Sequence, residues 1–274
     1  NVVYVITKEA PKQDHRARVF SYAKNSAFGE FRPSPWQEIV QSAWESMPDR
    51  KLVLSEAGLQ LHRTIRSMCK RTLADVVEMR RGVLFDPCIL TDRKSGSTSY
   101  RYFEGDVYRY EIRAAMPHWV ELGQKMKEYP KDDKWFKGDR ILLRRLVNRR
   151  QRLMATCVEE SFITNKNLYT VLARVGGMPL KCVLAFLNSA LFSRLYIDSV
   201  SQANKDDFPQ VTITDLLGLP FPHDVPERSK DQLTVLVTRI LAAKASDPAA
   251  DTSALEREID EIVYRLYGLT DEEI

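Results

Sequence analysis

Cysteine is scarce and scattered in this chain. Its 274 residues hold four, Cys69, Cys88, Cys157 and Cys182, with no Cys-x-x-Cys and no histidine at zinc-ligand spacing. That pattern excludes a zinc ribbon or finger and a disulfide framework. It predicts reduced, buried thiols in an intracellular, cytoplasmic protein. Apolar runs of membrane length are missing too. Nothing approaches the roughly 18 residues of a spanning helix, so no membrane partner is expected. Four motifs of nucleotide, acyl and metallohydrolase chemistry are absent: Gly-x-x-x-x-Gly-Lys, Gly-x-Gly-x-x-Gly, Gly-x-Ser-x-Gly and His-Glu-x-x-His. Asp132 and Asp133 are adjacent, as in a solvated turn, whereas a Mg²⁺ site needs carboxylates converging from separate elements. His62 falls on a helical stretch without a nucleophile motif and reads as a packed or surface residue. No catalytic residue, metal site or bound cofactor is predicted within the chain.

What is present is an apolar core and an uneven charge. Hydrophobic residues make up 44% and charged residues 28%, the composition of a folded globular chain. Residues 227–274 carry eleven Asp/Glu and six Lys/Arg, a local −5, so the remainder carries +9 of the net +4. The basic part holds one concentrated stretch. Lys134, Lys137, Arg140, Arg144, Arg145, Arg149, Arg150 and Arg152 face a single acid, Asp139, and alternate with Trp135, Phe136, Ile141, Leu142, Leu143, Leu146 and Val147. A solvated charge run would mix signs, so this stretch reads as an element that buries one side and offers the other to a polyanion.

Periodicity predicts the following elements. Residues 2–7 and 18–22 are β-branched or aromatic runs that would pair as strands, and 25–35 is loop-like. A chain opening at Asn1 inside such a run reads as a piece of something longer. Residues 36–44 and 56–71 have helical spacing. Residues 100–112 alternate aromatic residues with arginine as a hairpin, with 104–106 as its turn. Residues 140–145 form a strand that turns at 147–150 and returns through 153–158. Residues 181–200 are one long core helix and 211–214 a strand. Residues 231–245 and 253–267 form an antiparallel helical hairpin, which Gly268 ends.

The order of these features resembles the TaqI-like C-terminal specificity domain found in N6-adenine DNA methyltransferases and single-chain type IIG restriction-modification enzymes. The resemblance is carried by Leu-Ala-Asp-Val-Val-Glu-Met-Arg-Arg-Gly at 73–82, Tyr-Arg-Tyr-Glu-Ile at 108–112 and Lys-Gly-Asp-Arg-Ile-Leu-Leu-Arg-Arg at 137–145. Leu-Ala-Phe-Leu-Asn-Ser-Ala-Leu-Phe at 184–192, the Phe-Pro to Leu-Pro-Phe-Pro segment at 208–222 and the closing helix at 259–274 continue it. Together these pieces reach over about three quarters of the chain, and their joint order is the specific signal. The resemblance implies an α+β fold, a mixed β-sheet target-recognition domain with a C-terminal helical bundle. It divides the chain into terminal strands of a preceding methyltransferase domain (1–24), the recognition domain (25–222) and a helical hairpin (223–274). The family's Asn-Pro-Pro-Tyr type tetrapeptide and its glycine-rich S-adenosylmethionine loop are absent here. The implied role is therefore to read a short double-stranded DNA sequence, while a methyltransferase catalytic domain, in cis or in trans, holds S-adenosylmethionine and flips the target base. The chain departs from its relatives in having Glu104-Gly105 where an Arg-Gly pair is common.

Within that frame the base-reading candidates are Arg80, Arg81, Arg101, Tyr102, Arg109 and Tyr110, which lie beside Gly82 or among tyrosines. The backbone candidates are the eight cations from Lys134 to Arg152. Two alternatives stay open on the residues alone: a protein-interaction module, and a single-strand or RNA binder stacking bases on Tyr100, Tyr102, Phe103 and Tyr110.

Overall fold

A computed structural model describes residues 9–10, 12, 14–20, 37–47, 52–123, 125–146, 152–199, 210–271 and 273. The chain divides into two compact units, residues 1–64 and residues 65–272. In the first, β1 (Arg16–Val19) and β2 (Gln37–Val40) pair antiparallel, with Arg16 opposite Val40. The expected strand at 2–7 and loop at 25–35 lie outside the described residues. Residues 36–44 are not a single helix: Ile39 and Val40 are β-branched and pair with β1, and the chain coils only from Gln41, as a 3-10 turn at Gln41–Ser46. Ile39, Ala43, Met47, Val53 and Leu59 form the core of this unit. Trp44 closes it by donating Nε1 to the Val53 carbonyl at 2.9 Å. Helix α1 (Glu56–Met68) begins where Ser55 Oγ accepts the Gly58 amide, and it stops short of the expected Arg71, which enters a strand.

The second unit begins with β3 (Arg71–Thr72), β4 (Val77–Arg81), β5 (Leu84–Phe85), β6 (Ser99–Tyr102) and β7 (Glu104–Tyr108). Next come β8 (Glu111–Ala115), β9 (Trp119–Glu121), β10 (Met126–Glu128), β11 (Arg140–Arg144), β12 (Ala155–Val158), β13 (Phe162–Ile163) and β14 (Leu168–Ala173). Helices α2 (Leu180–Asn188), α3 (Ala190–Ser199) and α4 (Ile213–Leu217) follow, then β15 (Pro220–Phe221), α5 (Glu227–Ser246) and α6 (Ser253–Leu266). The main sheet has the antiparallel order β12-β11-β14-β4. One of its two inner strands, β11, is buried from Arg140 to Leu143, because both faces are covered. Leu142 and Leu168 join Phe103, Val107, Val158 and Phe162 on one side, while α2 packs on β11, β12 and β14. The mixed fold is α+β as expected, and the terminal helices α5 and α6 pack on each other, with α5 against α2.

Four local expectations are corrected. Residues 104–106 are not a turn but the start of β7. The hairpin turns at Arg109 and Tyr110, with Tyr108 opposite Glu111, and Tyr110 adopts a left-handed φ of 62°. β6 instead pairs with β9 and β13. The long helix at 181–200 breaks at Ser189 into α2 and α3, bent by 59°. The break is held by one local and two distant partners: Ser189 Oγ accepts the Phe192 amide, Asp260 accepts the Ala190 amide, and the Asn188 side-chain amide exchanges two 2.9 Å bonds with the Ala155 backbone. Residues 211–214 are not a strand, because Thr212 caps α4 by accepting the Asp215 amide at 3.1 Å. Among the described residues no single helix is long and apolar enough to cross a membrane.

Four rings join the helices to the sheet edge. Phe186, Phe192, Phe221 and Tyr267 are all buried, with Phe186 and Phe221 at 4.6 Å, and Tyr267 donates to the Pro220 carbonyl at 2.8 Å. Removing Leu142 would hollow the opposite face of the sheet. Leu142→Ala is expected to lower unfolding free energy by about 3 kcal/mol in urea denaturation. A loss below about 1 kcal/mol would contradict the two-sided burial of β11.

Candidate nucleic-acid interface

β4 is one of the two outer strands of the main sheet, and its last residues, Arg80 and Arg81, are exposed and half-buried where β11 is buried. It ends in Arg80 and Arg81, followed by Gly82. Gly82 is required by close approach: a Cβ there would lie 2.2 Å from the Asn165 carbonyl oxygen and 2.5 Å from that of Thr164. The chain dives under residues 164–165, where the Val83 amide donates to the Thr164 carbonyl at 2.8 Å. The two arginines are thereby left at the lip of an open groove of about 650 Å³.

The opposite wall comes from the end of β10, the segment after it and the short turn that carries Lys134. Glu128, Tyr129, Lys131, Asp132 and Lys134 line it, and buried Trp135 closes the back. Trp135 belongs to a core cluster with Val83, Tyr100, Val120, Met126, Phe136 and Ile163, so the floor is packed. Donors and acceptors alternate across the opening. Arg81 pairs with Glu128, and Lys134 Nζ lies 2.9 Å from Glu78, which Arg174 also approaches at 3.6 Å. The Lys134 hydrogen bond and charge hold the Glu78 carboxyl below its ordinary value. Arg80 is exposed and makes no ion pair among the described residues, and Tyr129 stands 36% exposed at the rim.

The structure thus brings together three of the predicted residues, Arg80, Arg81 and Lys134. Others lie elsewhere. Arg101 is exposed on β6, stacked 4.7 Å over the Trp119 ring and donating to the Met116 carbonyl at 2.7 Å. Tyr102 is half-buried, edge-on to Phe85 at 5.1 Å. Lys137 pairs with Asp133 and sits over Tyr100. Arg144 is 2.9 Å from Asp106, and Arg145 donates to Gln210 at 2.5 Å. Arg149 and Arg150, with their turn, lie outside the described residues.

Four candidates are turned inward. Arg140 has no exposed surface: its guanidinium stacks 4.5 Å from the Phe162 ring, donates to the Gly138 and Phe162 carbonyls, and is pushed down to about 10 by burial. It holds the start of β11 and offers nothing to a phosphate. Tyr110 is buried with its hydroxyl pushed up by desolvation, and Arg109 pairs with Glu256 of α6, so this hairpin turn anchors a helix rather than reading a base. Arg152 donates to the Asn188 carbonyl at 2.8 Å at the α2 corner, and its guanidinium is lowered chiefly by burial. Tyr100 and Phe103 are buried as well, so the aromatic platform considered for single strands is not displayed.

Sequence reasoning missed the acids of the groove, although Glu78 and Arg80 two residues apart on a strand share a face and could have signalled it. Tyr129 and Lys131, around Pro130, carry no periodic signal. Among the described residues no three His, Cys, Asp or Glu side chains converge as metal ligands.

Two substitutions test these placements. Gly82→Ala should cost about 1–3 kcal/mol in urea denaturation, since backbone must move to admit the methyl group, and a neutral effect would contradict the close approach. Arg140→Met should leave duplex affinity within about twofold and keep stability equal or higher, because a buried charge is replaced by apolar volume. A clear loss of affinity would return Arg140 to the interface.

Comparison with known proteins gives the chain its context. Residues 100–221 match the family model of the TaqI-like C-terminal specificity domain. A Methanocaldococcus jannaschii protein named as a putative type II restriction enzyme and methyltransferase is 25% identical over an alignment of 282 positions that covers 97% of this chain. The chain spans 23% of that relative's length. Among solved structures, the type IIL restriction-modification enzyme MmeI, in complex with DNA, superposes with a TM-score of 0.52 at 13% identity, over 73% of this chain and 34% of that one. The HsdS subunit from Thermoanaerobacter tengcongensis aligns over 77% of this chain and 51% of its own at 12% identity, with a TM-score of 0.36, too loose a likeness to argue from. Residues 100–221 are thus similar to the TaqI-like C-terminal specificity domain, and that likeness is what the comparisons give.

Proposed function

We propose that this chain reads a short double-stranded DNA sequence for a restriction-modification system, and that base edges are read in the groove at the end of β4. The observation that carries this reading is the groove's mixed lining. A phosphate site needs only cations, and three carboxylates beside it would repel the backbone. Base edges carry both acceptors and amino donors. An arginine matches guanine O6 and N7, and a glutamate accepts from the cytosine amino group, so Arg81 and Glu128, already facing each other, fit the two halves of one G·C pair. Lys134 thereby moves from the backbone set to the reading set, beside Arg80. Backbone grip is assigned to other cations of the basic stretch, and Arg149 and Arg150 keep that role from the sequence.

Methylation is assigned to a separate catalytic domain, in cis or in trans, that holds S-adenosylmethionine and flips the adenine. Two facts support this division: the chain covers 23% of a relative named as both restriction enzyme and methyltransferase, and its own sequence has no Asn-Pro-Pro-Tyr tetrapeptide. The likeness to an enzyme solved with DNA agrees with a duplex as the partner.

Selection from a pool of randomised duplexes tests the proposal whatever the target sequence is. One short sequence should be enriched. Arg81→Ala should erase preference at one base pair, a loss of about 1–3 kcal/mol of discrimination. Arg149→Ala or Arg150→Ala should weaken all duplexes about equally and flatten the salt dependence. An unselective pool, or Arg81→Ala weakening every duplex alike, would refute the reading.

A further inference from the structure

The two ion pairs across the groove differ in their second partners. Glu128 pairs with Arg81 alone among the described residues, whereas each oxygen of Glu78 faces a cation of its own. Oε2 meets Lys134 Nζ at 2.9 Å, and Oε1 meets Arg174 Nη1 at 3.6 Å. Arg174 comes from outside the groove lining. Leu172 stands opposite Glu78 in the register of β14 with β4, and Arg174, two residues on, leaves the strand on the same side.

Arg174 is held in place by backbone. Its amide donates to the Val76 carbonyl at 2.9 Å, its Nε donates to the Ala74 carbonyl at 2.8 Å, and its own carbonyl accepts the Gly177 amide at 2.9 Å, which closes a tight turn. Gly176 takes the left-handed φ of 71° within that turn. The guanidinium is therefore a fixed charge, while Lys134 carries an exposed ammonium on a flexible stem. Two further acids stand beside these cations, and both are engaged. Asp75 accepts the Thr72 amide at 2.8 Å and its hydroxyl at 3.3 Å, and Asp132 accepts the Lys134 amide at 3.0 Å with its other oxygen 4.0 Å from Nζ.

We propose, resting on the duplex reading above, that Glu78 accepts from a cytosine amino group in a second base pair and that Arg174 is the positioning residue that holds it there. Guanine O6 and cytosine N4 are hydrogen-bonded to each other within a pair, so a lysine and a carboxylate already in contact have the separation to meet both. When Lys134 turns to the guanine, Oε2 of Glu78 is released as an acceptor. A carboxylate then left without a cation beside a phosphate backbone would be repelled or protonated. Arg174, on the other oxygen, keeps it charged and aimed. Glu128 has no such second cation among the described residues, so its base pair depends on Arg81.

Selection of randomised duplexes by the full chain tests this position by position. Glu78→Gln should relax preference about tenfold, and Arg174→Gln about threefold, at one and the same base pair, which differs from the pair relaxed by Arg81→Ala. Arg174→Lys should recover most of the loss, and neither Arg174 variant should lower the urea midpoint. N4-methylcytosine places a methyl group where the major-groove hydrogen of the amino group stands. With it at the selected position, the unaltered chain should bind about tenfold more weakly than to the cytosine duplex, and Glu78→Gln should bind the two alike. Equal binding of both duplexes by the unaltered chain would overturn the inference. So would Arg174→Gln leaving every position unchanged, weakening all duplexes alike as a phosphate contact does, relaxing the Arg81 position, or losing preference only together with stability. An unselective pool from the unaltered chain would overturn the duplex reading and this inference with it, whereas the other outcomes overturn this inference alone.

Discussion

Two-sided burial of β11 is the constraint on which the rest of the second unit depends. With Phe103, Val107 and Phe162 on one side and α2 on the other, the strand from Arg140 to Leu143 has no solvent face. Charges in this sheet can then survive only at strand ends and on the outer strand. Arg80 and Arg81 end the outer strand β4 and Arg144 ends β11, so these cations reach the surface where a wholly buried strand could not hold them. Arg140 is the exception: it begins the strand under the Phe162 ring, where two carbonyls accept from its terminal nitrogens.

The groove is built outward from this scaffold. Gly82 lets the chain pass beneath residues 164–165, so the arginines before it are fixed on a backbone that has little room to move. Trp135 and its packed neighbours fix the opposite wall. Ion pairs across the opening join Arg81 to Glu128 and Lys134 to Glu78 at the surface, where exposed pairs contribute little to stability and are exchanged for other partners at small cost. A rigid lining with exchangeable partners suits discrimination among sequences.

The sequence made the broad architecture legible and the inward or outward sense of single side chains much less so. The return of β11 through β12, the terminal helices and the family motifs are all readable from periodicity and order. Arg140, Arg109 and Arg152 look exposed on sequence because they are charged. Their burial depends on a ring from residue 162, an acid from 256 and a carbonyl from 188, and no local pattern encodes such distant partners. The helix break at Ser189 is hidden for the same reason, since its ends are satisfied by Ala155 and Asp260. Glu78 and Glu128 belong to the groove only because the fold sets β4 beside the end of β10.

The central claim is that bases meet the groove at the end of β4. Tyr129, exposed at its rim, marks the place to ask. Replacing it with benzoylphenylalanine and irradiating the complex with a duplex carrying the selected sequence should label a nucleotide inside that sequence. A label only in flanking DNA, or none while affinity is retained, would contradict the account.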